Sequence, residues 1–233
     1  MGTDGGADME GRAAHIVWDW NGTLFHDVDA VIAATNSAFA EIGLEPITLE
    51  RYRELYCVPV PRFYERLMGR LPTDAEWLVM DEAFHRHYSA HRERCRLAEG
   101  VDLLLQGWQA AGHSQSILSL YGHDELIPLV RGFGIEARFV RVDGRIGPSG
   151  GGKSTHLVRH LAALESVDPG RTVVIGDAVD DAVAAREAGV GAVLYTGGSH
   201  SRRSLEAAGV PVVDSLADAV EVAAEVARGG PAA

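Results

Sequence analysis

The sequence predicts an α/β protein with a Rossmann-like parallel sheet and an inserted all-α cap domain. Two patterns lead to this prediction. From about residue 99 onward, short apolar runs alternate with helical segments of about 10–15 residues. Such alternation forms βαβ units, whose strands run parallel. Between residues 28 and 98, apolar residues recur instead at three- and four-residue spacing, and nothing alternates like a strand.

The predicted elements follow in chain order. The first strand is the apolar run at 15–18, which ends at Asp19 before an Asn-Gly pair typical of a tight turn. In the insert, one helix begins after Thr48 as its N-cap, and another spans 74–94. Later strands are predicted at 116–119, 137–142, 172–177, 191–195 and 210–213. Helices are predicted at 102–111, 124–132, 154–164 and 181–189, with a last helix from Ser215.

These elements divide the chain into three parts. We expect a disordered tail at 1–13, a core domain formed by 14–27 and 99–228, and a helical cap domain at 28–98. Because ligands of open parallel sheets bind at the carboxyl ends of the strands, the functional residues are expected at that edge of the core domain.

The composition excludes several classes of protein. Hydrophobic residues are 46% and charged residues 23% of the 233 residues, which is typical of a globular protein. The net charge of −12 disfavours binding to nucleic acids and to anionic membranes. The sequence shows no apolar run of ~18 residues and no signal peptide. Cys57 and Cys95 are too few for a disulfide framework. We therefore expect a cytoplasmic monomer or homodimer.

Polar residues follow three of the predicted strands. Asp19, Ser119 and Asp177 each stand at a strand end, and Asp180 and Asp181 come soon after Asp177. Taken singly, these residues have structural explanations, such as a turn at Asp19 or a helix cap at Ser119. Carboxylates this close together repel one another unless a cation is present, and oxygen ligands suit Mg²⁺. Mg²⁺ is therefore the expected cofactor.

Lys153 is the only lysine in a chain that contains twenty arginines. Lysine is a compact point charge, whereas arginine is a wide planar fork, so a crowded phosphate site distinguishes between them. Residues 147–154 also satisfy the P-loop pattern GxxxxGK[ST], which leaves a P-loop NTPase as an alternative. However, that alternative leaves Asp19, Ser119 and Asp181 unexplained, and only residues 154–233 follow for the rest of such a domain.

This set of residues, in this order, resembles the haloacid dehalogenase (HAD) superfamily. The segment DWNGTL at 19–24 resembles its first motif, DxDGT. Ser119 and Lys153 resemble its second and third motifs, and GDAVDD at 176–181 resembles its fourth, GDxxxD. The helical insert resembles the cap of members similar to phosphoglycolate phosphatase. The resemblance spans residues 15 to about 219.

The resemblance implies a Mg²⁺-dependent phosphatase acting on a small phosphorylated metabolite. Asp19 would be the nucleophile that forms an aspartyl-phosphate. Ser119 and Lys153 would bind the transferring phosphoryl group, while Thr23 would support the loop and Arg62 of the cap would contact the substrate. The expected metal ligands are the carboxylate of Asp19, the backbone carbonyl of Asn21, Asp177 and, directly or through water, Asp181.

Asn21 departs from the family pattern, because the second aspartate of the first motif is the general acid and base in phosphatases. An amide cannot transfer protons, and losing such a group typically costs ~10²–10⁴ in rate. Another group, such as His26 or a cap residue, could replace it. Alternatively, the substrate could have a good leaving group, or the protein could be a catalytically impaired binder of phosphate ligands or proteins.

Three neighbouring subfamilies are relevant to this departure. Haloacid dehalogenases also lack the second aspartate and remain a rival, but they lack the GDxxxD acids that this chain retains. Phosphonoacetaldehyde hydrolases require a cap lysine, and the segment 28–98 contains none. Phosphomutases need the missing acid and base, so they are disfavoured.

Overall fold

The structure is a computed structural model that describes residues 13–147 and 152–229. The predicted tail therefore lies almost wholly outside the described residues. The strands are β1 His15–Trp18, β2 Phe25–His26, β3 Arg96–Leu97, β4 Ser114–Gly122, β5 Arg141–Arg145, β6 Thr172–Gly176, β7 Gly191–Tyr195 and β8 Val212–Val213. The α-helices are α1 Val28–Glu41, α2 Leu49–Leu55, α3 Val60–Met68, α4 Asp74–Arg92, α5 Val101–Ala110, α6 His123–Gly132, α7 Ser154–Ala162, α8 Val179–Ala188, α9 Arg202–Glu206 and α10 Leu216–Ala227.

The main sheet confirms the predicted α/β class. Within the described residues, six strands pair in the order β5-β4-β1-β6-β7-β8, and all neighbours run parallel. Helices α5, α6 and α10 pack on one face of this sheet, and α7, α8 and α9 pack on the other. Sheets covered on both faces have strands that read as continuous apolar runs, which is why β1 and β6 were predictable.

The alternation of side chains along β1 divides the core between these two faces. Ile16 and Trp18 are fully buried in the cluster on one face, and Val17 is fully buried in the cluster on the other. The indole Nε1 of Trp18 donates a hydrogen bond to Oε1 of Gln115 on β4 (3.0 Å), so the buried polar atom is satisfied. Side chains of the central strand are therefore buried on both faces of the sheet.

The register of the central strands brings their carboxyl ends to one edge. Trp18, the last residue of β1, lies level with Ile117 of β4 and Ile175 of β6. The amide of Asp19 continues this pairing by donating to the carbonyl of Ile175 (2.8 Å). Asp19 and the residues that follow β6 therefore leave the sheet side by side, as the parallel arrangement predicts.

Helices α1–α4 form the insert and have an aromatic core of their own, with Phe39, Phe63 and Met80 at its centre. Thr48 caps α2 by accepting from the amide of Arg51 (3.1 Å), which confirms the predicted helix start. Thr73 and Glu76 form a capping box at the start of α4. Within the described ranges, no helix is long and apolar enough to cross a bilayer.

Two sequence predictions were wrong. The predicted strand at 137–142 is instead a 3₁₀ helix, Glu136–Arg138, followed by β5 at Arg141–Arg145. Short apolar runs do not distinguish these states, and the strand begins where Arg141 pairs with Ser116. The insert was predicted to hold no strand, yet β3 pairs antiparallel with β2. Two-residue strands are too short to produce an alternating pattern.

Candidate active site

Three buried carboxylates converge at the carboxyl edge of the sheet. Asp19 follows β1, Asp177 follows β6, and Asp181 lies in the first turn of α8. Each offers an oxygen within 4.8 Å of those of the other two, and all three residues are less than a tenth exposed. Burying three negative carboxylates this close together is unfavourable unless cations compensate their charge. The three residues could therefore hold a metal ion.

Lys153 supplies one of these compensating charges from the residue before α7. Its Nζ lies 2.5 Å from Oδ1 of Asp19 and 2.5 Å from Oδ1 of Asp181. Burial alone lowers the pKa of Lys153, but the charges of Asp181 and Asp19 outweigh it and raise that pKa above its ordinary value. The charged form of Lys153 is therefore favoured, and the three carboxylates outnumber it.

The pKa values of two of these carboxyl groups, Asp177 and Asp19, are raised. Burial, followed by the charge of Asp181, raises the pKa of Asp177 to about 6. Burial also raises the pKa of Asp19 well above its ordinary value, although Lys153 acts in the opposite direction. A divalent cation bound among these oxygens would favour the charged forms, and a set of carboxylate oxygens suits Mg²⁺. The residues present therefore fit that ion.

Main-chain amides and a hydroxyl fix the orientation of the carboxylates. Oδ2 of Asp177 accepts a hydrogen bond from the amide of Ser199 (2.6 Å), and Oδ1 accepts one from Thr23 (3.4 Å). Oδ2 of Asp181 accepts one from the amide of Ala178 (3.0 Å). Neighbouring glycines make room, since a Cβ at Gly198 would lie 2.1 Å from Oδ2 of Asp177.

Asn21 is held by a polar network that the sequence did not predict. Its Nδ2 donates to Oδ2 of Asp27 (2.7 Å) and to the hydroxyl of Tyr88 on α4 (2.9 Å). Tyr88 also donates to Asp27 (2.5 Å), whose other oxygen accepts from the amide of Gly22 (2.9 Å). The network ties the insert to the loop after β1. It also leaves Oδ1 of Asn21 to accept from Ser119 (3.5 Å).

Asp27 was missed because it stands at the N-cap of α1, where an aspartate normally caps the helix. Its side chain makes no capping hydrogen bond and turns to the loop after β1 instead. Burial raises the pKa of Asp27, although hydrogen bonds from Tyr88 and Asn21 act in the opposite direction. The only sequence signal was an acidic residue soon after the DWNGTL segment.

Ser119 occupies the expected place but not the expected structure. It was predicted to end its strand, whereas β4 continues to Gly122 with an irregular register after Leu118. The buried hydroxyl of Ser119 accepts from the amide of Tyr121 (3.0 Å). Ser119 nevertheless lines the same cavity as Asp19.

A cavity of about 270 Å³ lies over these groups, between the insert and the sheet edge. Six of the predicted site residues line it, together with residues of the insert. The six are Asp19, Asn21, Ser119, Lys153, Asp177 and Asp181. Asp27 and Tyr88 line it as well. The cavity therefore has room for a small ligand next to the carboxylates and Lys153.

Three further candidates lie elsewhere. Thr23 is fully buried and supports Asp177, so it contacts that carboxylate and not the cavity. His26 is exposed in β2 and is absent from the cavity lining. The structure does not support a substrate contact for Arg62, because this exposed side chain pairs with Glu65 (2.6 Å) within α3.

Arg53 of α2 forms hydrogen bonds between the insert and the loop that follows β7. Its Nε donates to the carbonyl of Gly198 (2.7 Å), and its Nη2 donates to that of Gly197 (3.0 Å). The next amide in this loop, that of Ser199, holds Asp177. No pattern in the sequence distinguishes Arg53 from the other arginines of the insert.

Comparison with known proteins decides the family. The family model of haloacid dehalogenase-like hydrolases matches residues 16–195. The chain belongs to this family. The matched range includes the predicted site residues at 19–24, 119, 153 and 176–181.

Relatives of this HAD-like hydrolase include enzymes named phosphoglycolate phosphatase. One from Cereibacter sphaeroides is 28% identical over 200 residues, covering 78% of this chain and 85% of the relative. One from Thiobacillus denitrificans is 27% identical over 212 residues, covering 88% and 92%. A solved haloacid dehalogenase-like family hydrolase from Streptococcus pneumoniae shares the fold, with a TM-score of 0.76 and 17% identity over 90% of this chain and 97% of that one.

Proposed function

We propose that this HAD-like hydrolase is a Mg²⁺-dependent phosphatase that cleaves a small phosphomonoester through an aspartyl-phosphate. One observation carries the proposal: the buried carboxylate of Asp19 lies 2.5 Å from the ammonium group of Lys153, beside two further carboxylates and beneath a cavity. The names of the curated relatives support the same reaction class.

The metal would be held by Asp19, Asp177, Asp181 and the backbone carbonyl of Asn21. When bound, Mg²⁺ would offset the repulsion between the Asp19 carboxylate and a phosphate dianion. The orientation of Asp177 by the Ser199 amide is the feature of this chain that prepares the site, because outer hydrogen bonds fix how a carboxylate meets its metal.

The proposed reaction has two steps. An oxygen of Asp19 attacks phosphorus in line, an O–P bond forms, and the bond from phosphorus to the leaving oxygen breaks. Water then attacks the same phosphorus, which releases inorganic phosphate and restores Asp19. Lys153 and the hydroxyl of Ser119 face the space where the phosphoryl oxygens would lie, so their positive charge and hydrogen bond stabilise the transferring group.

The test is a screen of phosphate esters with the purified protein and Mg²⁺, measuring release of inorganic phosphate. We expect activity that is lost when EDTA removes the metal. Phosphate release that persists with EDTA and also in an Asp19→Asn variant would contradict the proposal, because neither the cation site nor the nucleophile would then be needed.

Asn21→Asp is expected to raise kcat on alkyl phosphates by roughly tenfold or more, because it restores a proton-transferring group. The new carboxyl would stand at the position from which Nδ2 of Asn21 now reaches Asp27 over 2.7 Å. Two carboxyls this close share a proton, so an acid form is available to protonate the leaving group. Steady-state kinetics with an alkyl phosphate measures the gain.

The matched control for this substitution is Gln106→Glu, which adds the same charge on the exposed side of α5. It is expected to leave the rate unchanged. An unchanged rate for Asn21→Asp as well would mean that the amide at position 21 does not limit turnover.

Gly198→Ala is expected to weaken Mg²⁺ binding by roughly tenfold, in the range seen when groups behind a metal ligand are changed. The added Cβ would lie within 2.4 Å of three atoms of the Asp177 side chain, so this carboxylate must move. Calorimetric titration with Mg²⁺ measures the change. Gly107→Ala is the control, because a Cβ on that exposed helical glycine meets nothing within 4 Å. Equal Mg²⁺ affinity in both variants would be the contrary result.

A further inference from the structure

A second cavity, of about 220 Å³, adjoins the one above the carboxylates. The two cavities share part of their lining, so they lie side by side. The shared residues are Tyr52, Tyr56, Val58, Phe84, His85 and Leu120. We call this second cavity the aromatic chamber. Its remaining walls come mainly from α3 and α4, and they include Val60, Phe63 and Trp77.

The aromatic chamber is lined by rings in edge-on contact. Tyr52 and Phe63 meet with ring centroids 5.1 Å apart, and Tyr64 and Trp77 meet at 5.9 Å, both edge to face. Such walls favour an apolar, flat ligand. A dry cavity of about 150 Å³ is enough to bind benzene in another protein, so the volume here accommodates a single aromatic ring.

Three side chains of the chamber, Asp81, His85 and Arg145, make polar contacts within the protein. Asp81 faces His85 across 3.5 Å. The guanidinium of Arg145 donates to the main-chain carbonyls of Leu120 and Gly147. Most of the side chains that line the chamber are aromatic or aliphatic, so the chamber favours an uncharged, apolar group.

The chemistry at position 21 points to the same kind of ligand. The amide of Asn21 is fixed by Asp27 and Tyr88 and cannot protonate a departing oxygen. An aliphatic alcohol leaves poorly without that proton. A phenol has a pKa of ~10, far below that of an aliphatic alcohol, so it departs as a stable phenolate.

We infer that the substrate is an aryl phosphate, with its phosphate above Asp19 and its aromatic leaving group in the aromatic chamber. This inference rests on the proposed phosphatase function. In the first step, the bond between Asp19 and phosphorus forms while the bond from phosphorus to the aryl oxygen breaks. The phenolate leaves with the electron pair and takes its proton from water, so no protein acid is required.

The experiment measures binding separately from turnover. Benzylphosphonate and methylphosphonate, which cannot be hydrolysed, are titrated into the Mg²⁺-loaded protein by calorimetry. Hydrolysis of acetyl phosphate is measured in parallel, because its acetate leaving group needs neither an acid nor the chamber. We expect benzylphosphonate to bind at least roughly tenfold more tightly than methylphosphonate, in the range that apolar pockets discriminate.

Val60→Trp narrows the chamber and is expected to remove most of this preference for benzylphosphonate. Val60 is suited to this test because it lines the aromatic chamber and does not line the cavity above the carboxylates. Val79→Trp, the same exchange at an exposed position of α4, is the matched control and should keep the preference. Where melting shows that Val60→Trp is unfolded, Trp77→Leu replaces it, because it removes a ring from the chamber wall.

The possible outcomes distinguish failure of the aryl phosphate inference from failure of the proposed phosphatase function. If acetyl phosphate is hydrolysed but the two phosphonates show no difference in affinity, or the difference survives both chamber variants, the aryl assignment is overturned and the phosphatase stands. If acetyl phosphate is not hydrolysed and neither phosphonate binds, the proposed function fails and the inference fails with it.

Discussion

Replacing Asp19 by asparagine is expected to lower kcat for phosphate release by roughly 10⁴-fold or more, as loss of a nucleophile does in other covalent mechanisms. The amide has nearly the shape of the carboxylate but is not a nucleophile, so the first step cannot occur. Lys153 keeps its contact with Asp181 over 2.5 Å, and one of the crowded negative charges is gone. We therefore expect a melting temperature at or above that of the unchanged protein.

The control is Asp124→Asn, an identical exchange at an exposed position in α6 that is expected to leave kcat unchanged. Asp19→Asn with substantial activity and an unchanged Mg²⁺ requirement would mean that another group attacks phosphorus. A loss of activity accompanied by a collapse in melting temperature would instead assign Asp19 a structural role.

Lys153→Arg is expected to lower kcat by roughly 10²-fold, although the charge is kept. Lys153 is only 4% exposed and fits its ammonium group between Asp19 and Asp181 at 2.5 Å from each. A guanidinium is wider and planar, so it must displace these carboxylates or leave the position where the phosphoryl oxygens would bind. Single-turnover kinetics at saturating substrate measures the effect.

The matched control makes the reverse exchange on α7, the helix that begins directly after Lys153. Arg159→Lys lies on the exposed face of α7, where the two cations are interchangeable, and it should leave kcat unchanged. If Lys153→Arg retains full activity, the shape of the cation is unimportant, and the solitary lysine of this chain carries no information about the site.

Much of the site could be predicted because parallel strands bring their ends together. The sequence places Asp19 and Asp177 at the carboxyl ends of parallel strands, and the pairing of β1 with β6 makes them neighbours. Lys153 was found by composition, since one lysine among twenty arginines indicates a site that excludes the larger group. The HAD resemblance supplied the roles, which distances alone do not give.

The residues contributed by the insert could not be predicted in the same way. Which of its arginines meets the core depends on how α2 and α3 pack, so Arg53 contacts the loop after β7 while Arg62 points to solvent. The sequence around Asp27 is typical of a helix cap, and its contacts with Tyr88 and Asn21 become visible only in the fold. Long-range contacts of this kind leave no periodic signal in the sequence.

The most direct test of the account is to look for phosphate on Asp19. The Mg²⁺-loaded protein is mixed with a phosphate ester that it hydrolyses, and the reaction is quenched in acid within the first turnover. The protein is then digested and analysed by mass spectrometry. We expect a phosphoryl group on the peptide that contains Asp19, and none on that peptide from the Asp19→Asn variant. Continuing phosphate release with no phosphoryl group on Asp19, or with one on another residue, would contradict it.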